Sequence, residues 1–183
     1  YKTIGDEPAV GLCGSGLLDV VAELRRAALL NASGLLDGPG IRKAESDVEY
    51  IVVGEGESAA GRAITVTQRD IRELQLAKGA IRSGIEALLQ DAGITAGDLD
   101  QVIIAGAFGT YIDVESAIRI GLLPELPLER VSQVGNAAGT GARLALISCE
   151  QRRQALALAE RVRYIELART PRFTRNFAEA MSF

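Results

Sequence analysis

The chain has 183 residues, 48% apolar and 24% charged, with a formal net charge of −4. That is the balance of an ordinary folded domain, long enough for one well-buried core or two small lobes. An acidic chain with no Trp and 4% aromatic residues offers neither a basic face for phosphate backbones nor a stacking platform, so no nucleic acid is expected as a partner.

The absence of His removes the commonest general base, the commonest metal ligand and any Ser–His triad. The two cysteines, Cys13 and Cys149, match no CxxC or zinc spacing, so no metal site is expected. Two isolated thiols point to a reducing cytoplasm. The longest apolar runs, such as 102–108, are too short for a bilayer span, and the start does not read as a signal peptide. Tyr1 stands where a Met would initiate, which reads as a start inside a larger protein.

Taken in chain order, Gly11-Leu12-Cys13-Gly14-Ser15-Gly16 reads as a Gly-rich turn running into an apolar helix that ends near residue 28. Leu17, Val20, Val21, Leu24 and Ala28 recur there at helical spacing. Residues 31–40 form a loop dense in Gly, Ser, Asp and Pro. Strands are expected over 48–53 and 63–66. Thr67 and Asp70 then form a start signal close to a capping box for a long helix over 68–91. Its expected apolar stripe is Ile71, Leu74, Ile81, Ile85 and Leu88. Gly79, Ala80, Ser83 and Gly84 make one segment slim, which costs helix propensity and points to close approach of another backbone. Gly93 ends the helix.

Two strand–turn–helix units follow: a strand over 101–105, Gly106–Gly109 and a helix over 113–120; then a strand over 130–134, Gly135–Gly141 and a helix to about 149. A helix over 150–160, a strand over 164–167 and a helix over 173–181 complete the chain. Strands alternating with helices predict an α/β layer architecture with a partly parallel sheet.

Three Gly-rich turns thus precede helices. Gly lets a ligand approach the backbone, and the helix start supplies free N–H groups and partial positive charge. Such an element can hold a phosphate or the ribose end of a nucleotide, though a single turn of this kind is more often a plain connection. None fits GxxxxGK[ST] or GxGxxG. Among other candidates, Asp113 reads as an N-cap, and Asp19, on the Leu17/Val20 side of the first helix, equally as an acid–base carboxylate or as a buried acid bonded to a turn N–H. Lys78 reads as a solvated lysine rather than a phosphate contact. Cys13, between glycines, is either a reactive thiol or a small residue that fits. No catalytic residue is assigned.

The strings Gly11-Leu12-Cys13-Gly14-Ser15-Gly16-Leu17-Leu18-Asp19, Thr67-Gln68-Arg69-Asp70-Ile71-Arg72-Glu73-Leu74-Gln75-Leu76-Ala77-Lys78-Gly79-Ala80, Ala105-Gly106-Ala107-Phe108-Gly109 and Val134-Gly135-Asn136-Ala137-Ala138-Gly139, in this order, resemble the ASKHA domain of reductive activators of corrinoid proteins. The ending with Phe173, Phe177 and Met181-Ser182-Phe183 is also similar, so the resemblance covers essentially the entire chain.

The resemblance implies an α/β, actin-like (ribonuclease H-like) ATPase subdomain, a mixed sheet with flanking helices, spanning 1–183. An upstream lobe and a [2Fe–2S] domain of plant-ferredoxin type would lie outside it. It implies ATP and Mg²⁺ in the intact protein and one-electron reduction of Co(II) corrinoid proteins to Co(I) for methyl transfer. Gly14, Ser15 and Gly16 would form a phosphate-side turn, and Gly106, Ala107 and Gly109 an adenosine-side turn, with Gly135 and Asn136 close to the second. The expected partners are a corrinoid protein of a methyltransferase system, a nucleotide and, in some forms, a second copy. The alternative is a docking or dimerisation module with a vestigial nucleotide site, in which the slim face at 79–84 lies exposed. A small-molecule kinase of the same superfold is disfavoured by the motif set.

Overall fold

In the computed structural model, which describes residues 1–44, 47–169 and 172–183 and only the backbone of Ala107, Phe108 and Ala168, the core gathers around helix α1 (Gly14–Arg26). Leu18, Val21 and Ala22 fall at the spacing that puts side chains on one face, and each is at most 1% exposed. Arg25 and Arg26 occupy the last turn, where cations complement the helix dipole.

An antiparallel sheet covers one side, in the order β1 (Ile41–Lys43), β2 (Val48–Val53), β3 (Ile64–Thr67). Tyr50 stands opposite both Ile41 and Val66, and the β2–β3 register shifts between Ile51 and Val53. Strand β1 falls just after the segment read as loop; three residues carry too little pattern to announce a strand. The buried Glu49 pairs across the strands with Arg42 at 2.7 Å.

Strand β3 leads directly into α2 (Gln68–Ala92). The expected capping box is complete: Thr67 N donates to Asp70 Oδ2 at 2.9 Å, and Asp70 N to Thr67 Oγ1 at 3.1 Å. Gly93 closes the helix in the left-handed conformation. Its buried face, however, is not the expected apolar stripe. Ile71 and Leu74 are buried, but Ile81 and Leu88 are 47% and 58% exposed. The buried positions of the second half are Gly79, Ser83 and Ala87, one ridge at four-residue spacing on a different flank of the helix.

That ridge is covered by α7 (Phe173–Ala180). A Cβ added at Gly79 would stand 2.9 Å from Met181 Cγ and 3.4 Å from the Phe177 carbonyl oxygen. The close approach read from the small residues is therefore real, and its partner is the chain's own carboxy-terminal helix. Gly79 and Ser83 are buried and Gly84 half-buried, while Ala80 is exposed. This removes the main argument for an exposed docking face at 79–84. Residues 164–167 do not form the expected strand; Leu167–Arg169 is a short 3-10 turn instead. An isolated apolar run without a neighbouring strand has no partner for its backbone groups.

The remaining chain builds a second layer: β4 (Val102–Ile104), α3 (Ala107–Tyr111), α4 (Val114–Arg119), β5 (Val131–Gln133), α5 (Ala137–Ile147) and α6 (Cys149–Ala159). Strands β4 and β5 pair in parallel, with Ile103 opposite Ser132. Antiparallel and parallel pairing both occur, as expected, divided between two sheets. Helix α4 packs on α1, and its Ala117 and the Ile120 that caps it are both fully buried. Helices α5 and α6 bury no residue.

Candidate functional site

The first Gly-rich turn is largely helix. Cys13 is the N-cap of α1, and Gly14, Ser15 and Gly16 are its first helical turn. The Cys13 thiol accepts from Gly16 N at 3.4 Å and lies 3.3 Å from Ser15 Oγ. These bonds, the Ser15 hydroxyl first and the Gly16 amide second, hold the exposed thiol below its ordinary pKa. The Gly14 amide remains as a helix-start donor without an intrahelical acceptor. Cys13 and Gly16 line the end of an apolar cavity of about 410 Å³ shared with the amino-terminal segment, Val52, Val53 and Ile64.

The second and third turns meet directly. Beyond the carboxyl ends of β4 and β5, Val134 N donates to Ile104 O at 3.0 Å and Gly106 N to Gly135 O at 2.7 Å. Both glycines take positive φ, 100° at Gly106 and 61° at Gly135, a region that side chains rarely adopt. Gly106 caps α3, and Asn136 caps α5 by accepting from Gly139 N at 2.9 Å. Gln133 stitches the unit together from β5 by donating to the carbonyls of Gly109 and Ile112. Two helix starts therefore lie side by side at the carboxyl end of parallel strands, where α/β folds offer a ligand crevice.

The sequence-derived residues sort unequally. Gly106, Ala107, Gly135 and Asn136 are brought together; the Ala107 side chain lies outside the described atoms. Gly109 is buried inside α3, where a Cβ would stand 2.5 Å from Ile104 Cγ2. Its smallness serves helix-on-strand packing. Nothing stands within 4 Å of a Cβ added at Gly106, so the backbone there faces open space. Gly14, Ser15 and Gly16 reach this region through α1, which packs on α3 and α4. Gly106, Gly135 and Asn136 are not among the residues lining the cavity beside Gly16.

Asp113 is the N-cap of α4, accepting from Ser116 N at 2.7 Å, as its position predicts. Asp19 faces the same corner from α1, but its Oδ1 is buried without a hydrogen-bond partner, contrary to the expected turn N–H bond. Burial pushes its carboxyl pKa up, the Ser116 hydrogen bond opposes this, and the charges of Asp113 and Glu23 add to it.

Lys78 overturns its solvated reading. It is 1% exposed, and Nζ donates to the carbonyls of Ala180 at 2.7 Å and Ser182 at 2.5 Å, 5.2 Å from the Phe183 ring centre. Gln75 donates to Met181 O, Arg25 to Phe183 O, and Phe183 N donates to Ala32 O. These bonds strap residues 180–183 across α1 and α2. Only backbone carbonyls and one amide of the strap take part, so sequence alone could not announce it. Burial, with Arg82 and Arg25 nearby, brings the Lys78 pKa down to about 8.

Among the described residues no group of three or more His, Cys, Asp or Glu is placed to hold a metal, and no helix is long and apolar enough to cross a membrane. The segments 10–17, 105–112 and 134–142 contain no Lys or Arg. An anion at these turns would have to be met by helix-start amides, with cations supplied from elsewhere.

Residues 1–183 match the family described as the C-terminal domain of RACo, the ASKHA domain. The chain is 39% identical over 188 residues to a protein of Eubacterium limosum named corrinoid activation enzyme RamQ, covering 97% of this chain and 32% of that protein. It is 28% identical over 128 residues to a Methanosarcina barkeri protein named [Co(II) methylated amine-specific corrinoid protein] reductase, covering 70% of this chain and 20% of that one. A solved structure named reductive activator for corrinoid, iron–sulfur protein superposes with a TM-score of 0.92 at 37% identity, over 100% of this chain and 30% of its own. The chain thus spans a third or less of the length of each of these relatives. With the match running from the first residue to the last, the chain belongs to the RACo C-terminal, ASKHA domain family.

Proposed function

We propose that this chain is the nucleotide-binding half of an ATP-dependent activator that returns Co(II) corrinoid proteins to Co(I) for methyl transfer. The observation that carries the reading is the Gly106 N to Gly135 O bond. It joins two helix-start turns side by side at the carboxyl ends of parallel strands, the place where α/β folds take ligands. The names of the relatives, a corrinoid activation enzyme and a Co(II) corrinoid protein reductase, support the substrate class.

In this reading Gly106, Ala107, Gly135 and Asn136 form the adenosine side, with Gly109 holding α3 tightly on β4. The first turn of α1, Gly14 to Gly16, lies on the phosphate side, with the Gly14 amide clear of the Cys13 cap. With no cation in these turns, Mg²⁺ and the opposite lobe supply the charge that phosphoryl transfer requires. The electron for cobalt comes from an iron–sulfur cluster held outside residues 1–183, because Cys13 and Cys149 cannot supply four thiolates. Two free thiols fit a cytoplasmic setting. The chain's own part is to bind and orient nucleotide, and to change the affinity for the corrinoid protein when the cleft closes.

Linkage makes this testable: if ATP alters corrinoid-protein binding, that protein must alter ATP binding by the same factor. Calorimetric titration of the relative-length protein with ATP–Mg²⁺, with and without its corrinoid protein, should give different ATP affinities. Equal affinities would sink the coupling. No heat with ADP or ATP in either condition would sink the nucleotide site itself.

A further inference from the structure

A polar cavity of about 580 Å³ opens where α2, α7 and the segment 118–125 meet. None of the residues of the three Gly-rich turns lines it. The Lys78 ammonium forms part of its wall: a Cβ added at Gly121, which also lines the cavity, would stand 3.4 Å from Nζ. An ammonium carries three N–H donors. Two of them go to the Ala180 and Ser182 carbonyls, which bring only the partial negative charge of the end of α7. A buried ammonium is ordinarily paired with a carboxylate. Among the described residues no carboxylate pairs with Lys78, and the charges that act on it, Arg82 and Arg25, are both positive.

Other donors converge on the same space. The half-buried Asn176 side chain on α7 has no partner among the described residues. Arg82 donates through Nε to Glu86 at 2.9 Å and keeps its terminal N–H groups. Arg119 gives one terminal nitrogen to Glu115 at 2.7 Å. The carboxylates that share the lining are engaged or solvated: Glu86 is held by Arg82, Glu179 by Arg175 at 2.8 Å, and Glu125 is exposed. We propose that this cavity is a binding site for a small oxyanion, a carboxylate or a phosphate, which takes the third Lys78 N–H together with the Asn176 amide and Arg82. Charged and amide donors aimed at one space suit the several acceptor oxygens of such an ion. The proposal stands on this cavity alone and is independent of the nucleotide reading.

The test is competitive acylation of the lysines, read residue by residue by mass spectrometry, in the relative-length protein at pH 8 without nucleotide. Only the free amine reacts, and Lys78, with a pKa of about 8, is half in that form. An anion seated on Nζ favours the charged form. In inorganic phosphate or sodium acetate, at an ionic strength matched with chloride, labelling of Lys78 should fall about fivefold, the effect of a tenfold rise in its proton affinity. Lys2 and Lys43 should label alike in all three salts. Protection by phosphate alone assigns the site to a tetrahedral dianion, and protection by acetate as well assigns it to carboxylates too. Asn176→Leu and Arg82→Gln should each at least halve the protection. Equal Lys78 labelling in phosphate, acetate and chloride would overturn the proposal. So would protection undiminished by both substitutions, since the anion would then act from elsewhere.

Discussion

Lys78 offers the sharpest physical test of the fold. Its ammonium is buried among Ala180 O, Ser182 O and the Phe183 ring, and Arg82 and Arg25 are the charges that face it. Burial lowers its pKa from 10.5 to about 8. The folded state therefore releases its proton near pH 8, while the unfolded state holds it until about 10.5. Between those values the unfolded chain binds more protons, so stability must rise with pH. The full gain is about 3 kcal/mol. A neutral amine retains two N–H donors for the two carbonyls, so deprotonation relieves desolvation without releasing the strap. Lys78→Met should remove the rise altogether. At pH 7 it should also cost about 1–3 kcal/mol, because two carbonyls lose a charged donor and the thioether replaces it with packing alone. Urea denaturation followed by circular dichroism from pH 7 to 10.5, wild type minus Lys78→Met, isolates the lysine from every other group. Parallel stability curves for the two proteins would refute the reasoning.

Four further outcomes are expected. Gly79→Leu should drive α7 off α2, since even a Cβ stands 2.9 Å from Met181 Cγ; the loss should be at least the 1–3 kcal/mol of overpacking, with residues 173–183 becoming open to proteolysis. Thr67→Ala removes the capping box and should cost about 1 kcal/mol in a denaturant melt. Asp19→Asn should raise the melting temperature at pH 7: the folded-state carboxyl pKa is raised, so the charged form destabilises above it, and the advantage should shrink as pH falls toward 4. Gly106→Val forces a β-branched side chain to φ 100° and fills the open space there; in the relative-length protein it should weaken ADP binding at least tenfold by calorimetry, about 1.4 kcal/mol.

What the sequence announced and what it hid follow from the range of the forces involved. The capping box at Thr67 and Asp70, the stop at Gly93 and the N-cap at Asp113 are local, three-residue devices, and each is where its spacing placed it. The pairing of the Gly106 and Gly135 turns was carried by the resemblance, and the structure supplies its bond. Features that depend on distant chain were illegible. Gly79 and Ser83 announced a close neighbour without saying that it was α7, nearly a hundred residues on. Lys78 and Gln75 look like surface residues until the carbonyls of 180–182 arrive above them. Gly14 to Gly16 misread as a loop because Gly disfavours helix, yet the Cys13 cap fixes them as a first turn. Gly109 looked like a ligand glycine, but Ile104 leaves no room for a side chain there.

The Gly106–Gly135 junction and the exposed apolar end of α5 belong to one mechanical unit. Helix α5 begins at the Asn136 cap, beside the Gly106–Gly135 bond, and ends at Ile147 on the exposed apolar face. Strand β4 likewise ends at the Gly106 turn, at one end of the same two-stranded sheet. Any polypeptide that seats on the sheet therefore fixes the direction in which the two helix starts point, and a nucleotide held between them restrains the sheet in return. The two affinities must be coupled by the same factor in both directions. A half-cleft with an unanchored sheet should thus hold nucleotide weakly, because part of the binding energy goes into ordering strands that the rest of the polypeptide would otherwise have fixed. ADP should bind the 183-residue chain more weakly than it binds the relative-length protein, and the deficit should match the slowing that ADP imposes on the amides of 102–104 and 131–133. If ADP binds both lengths equally, the crevice is rigid without its cover and this coupling does not run through the sheet.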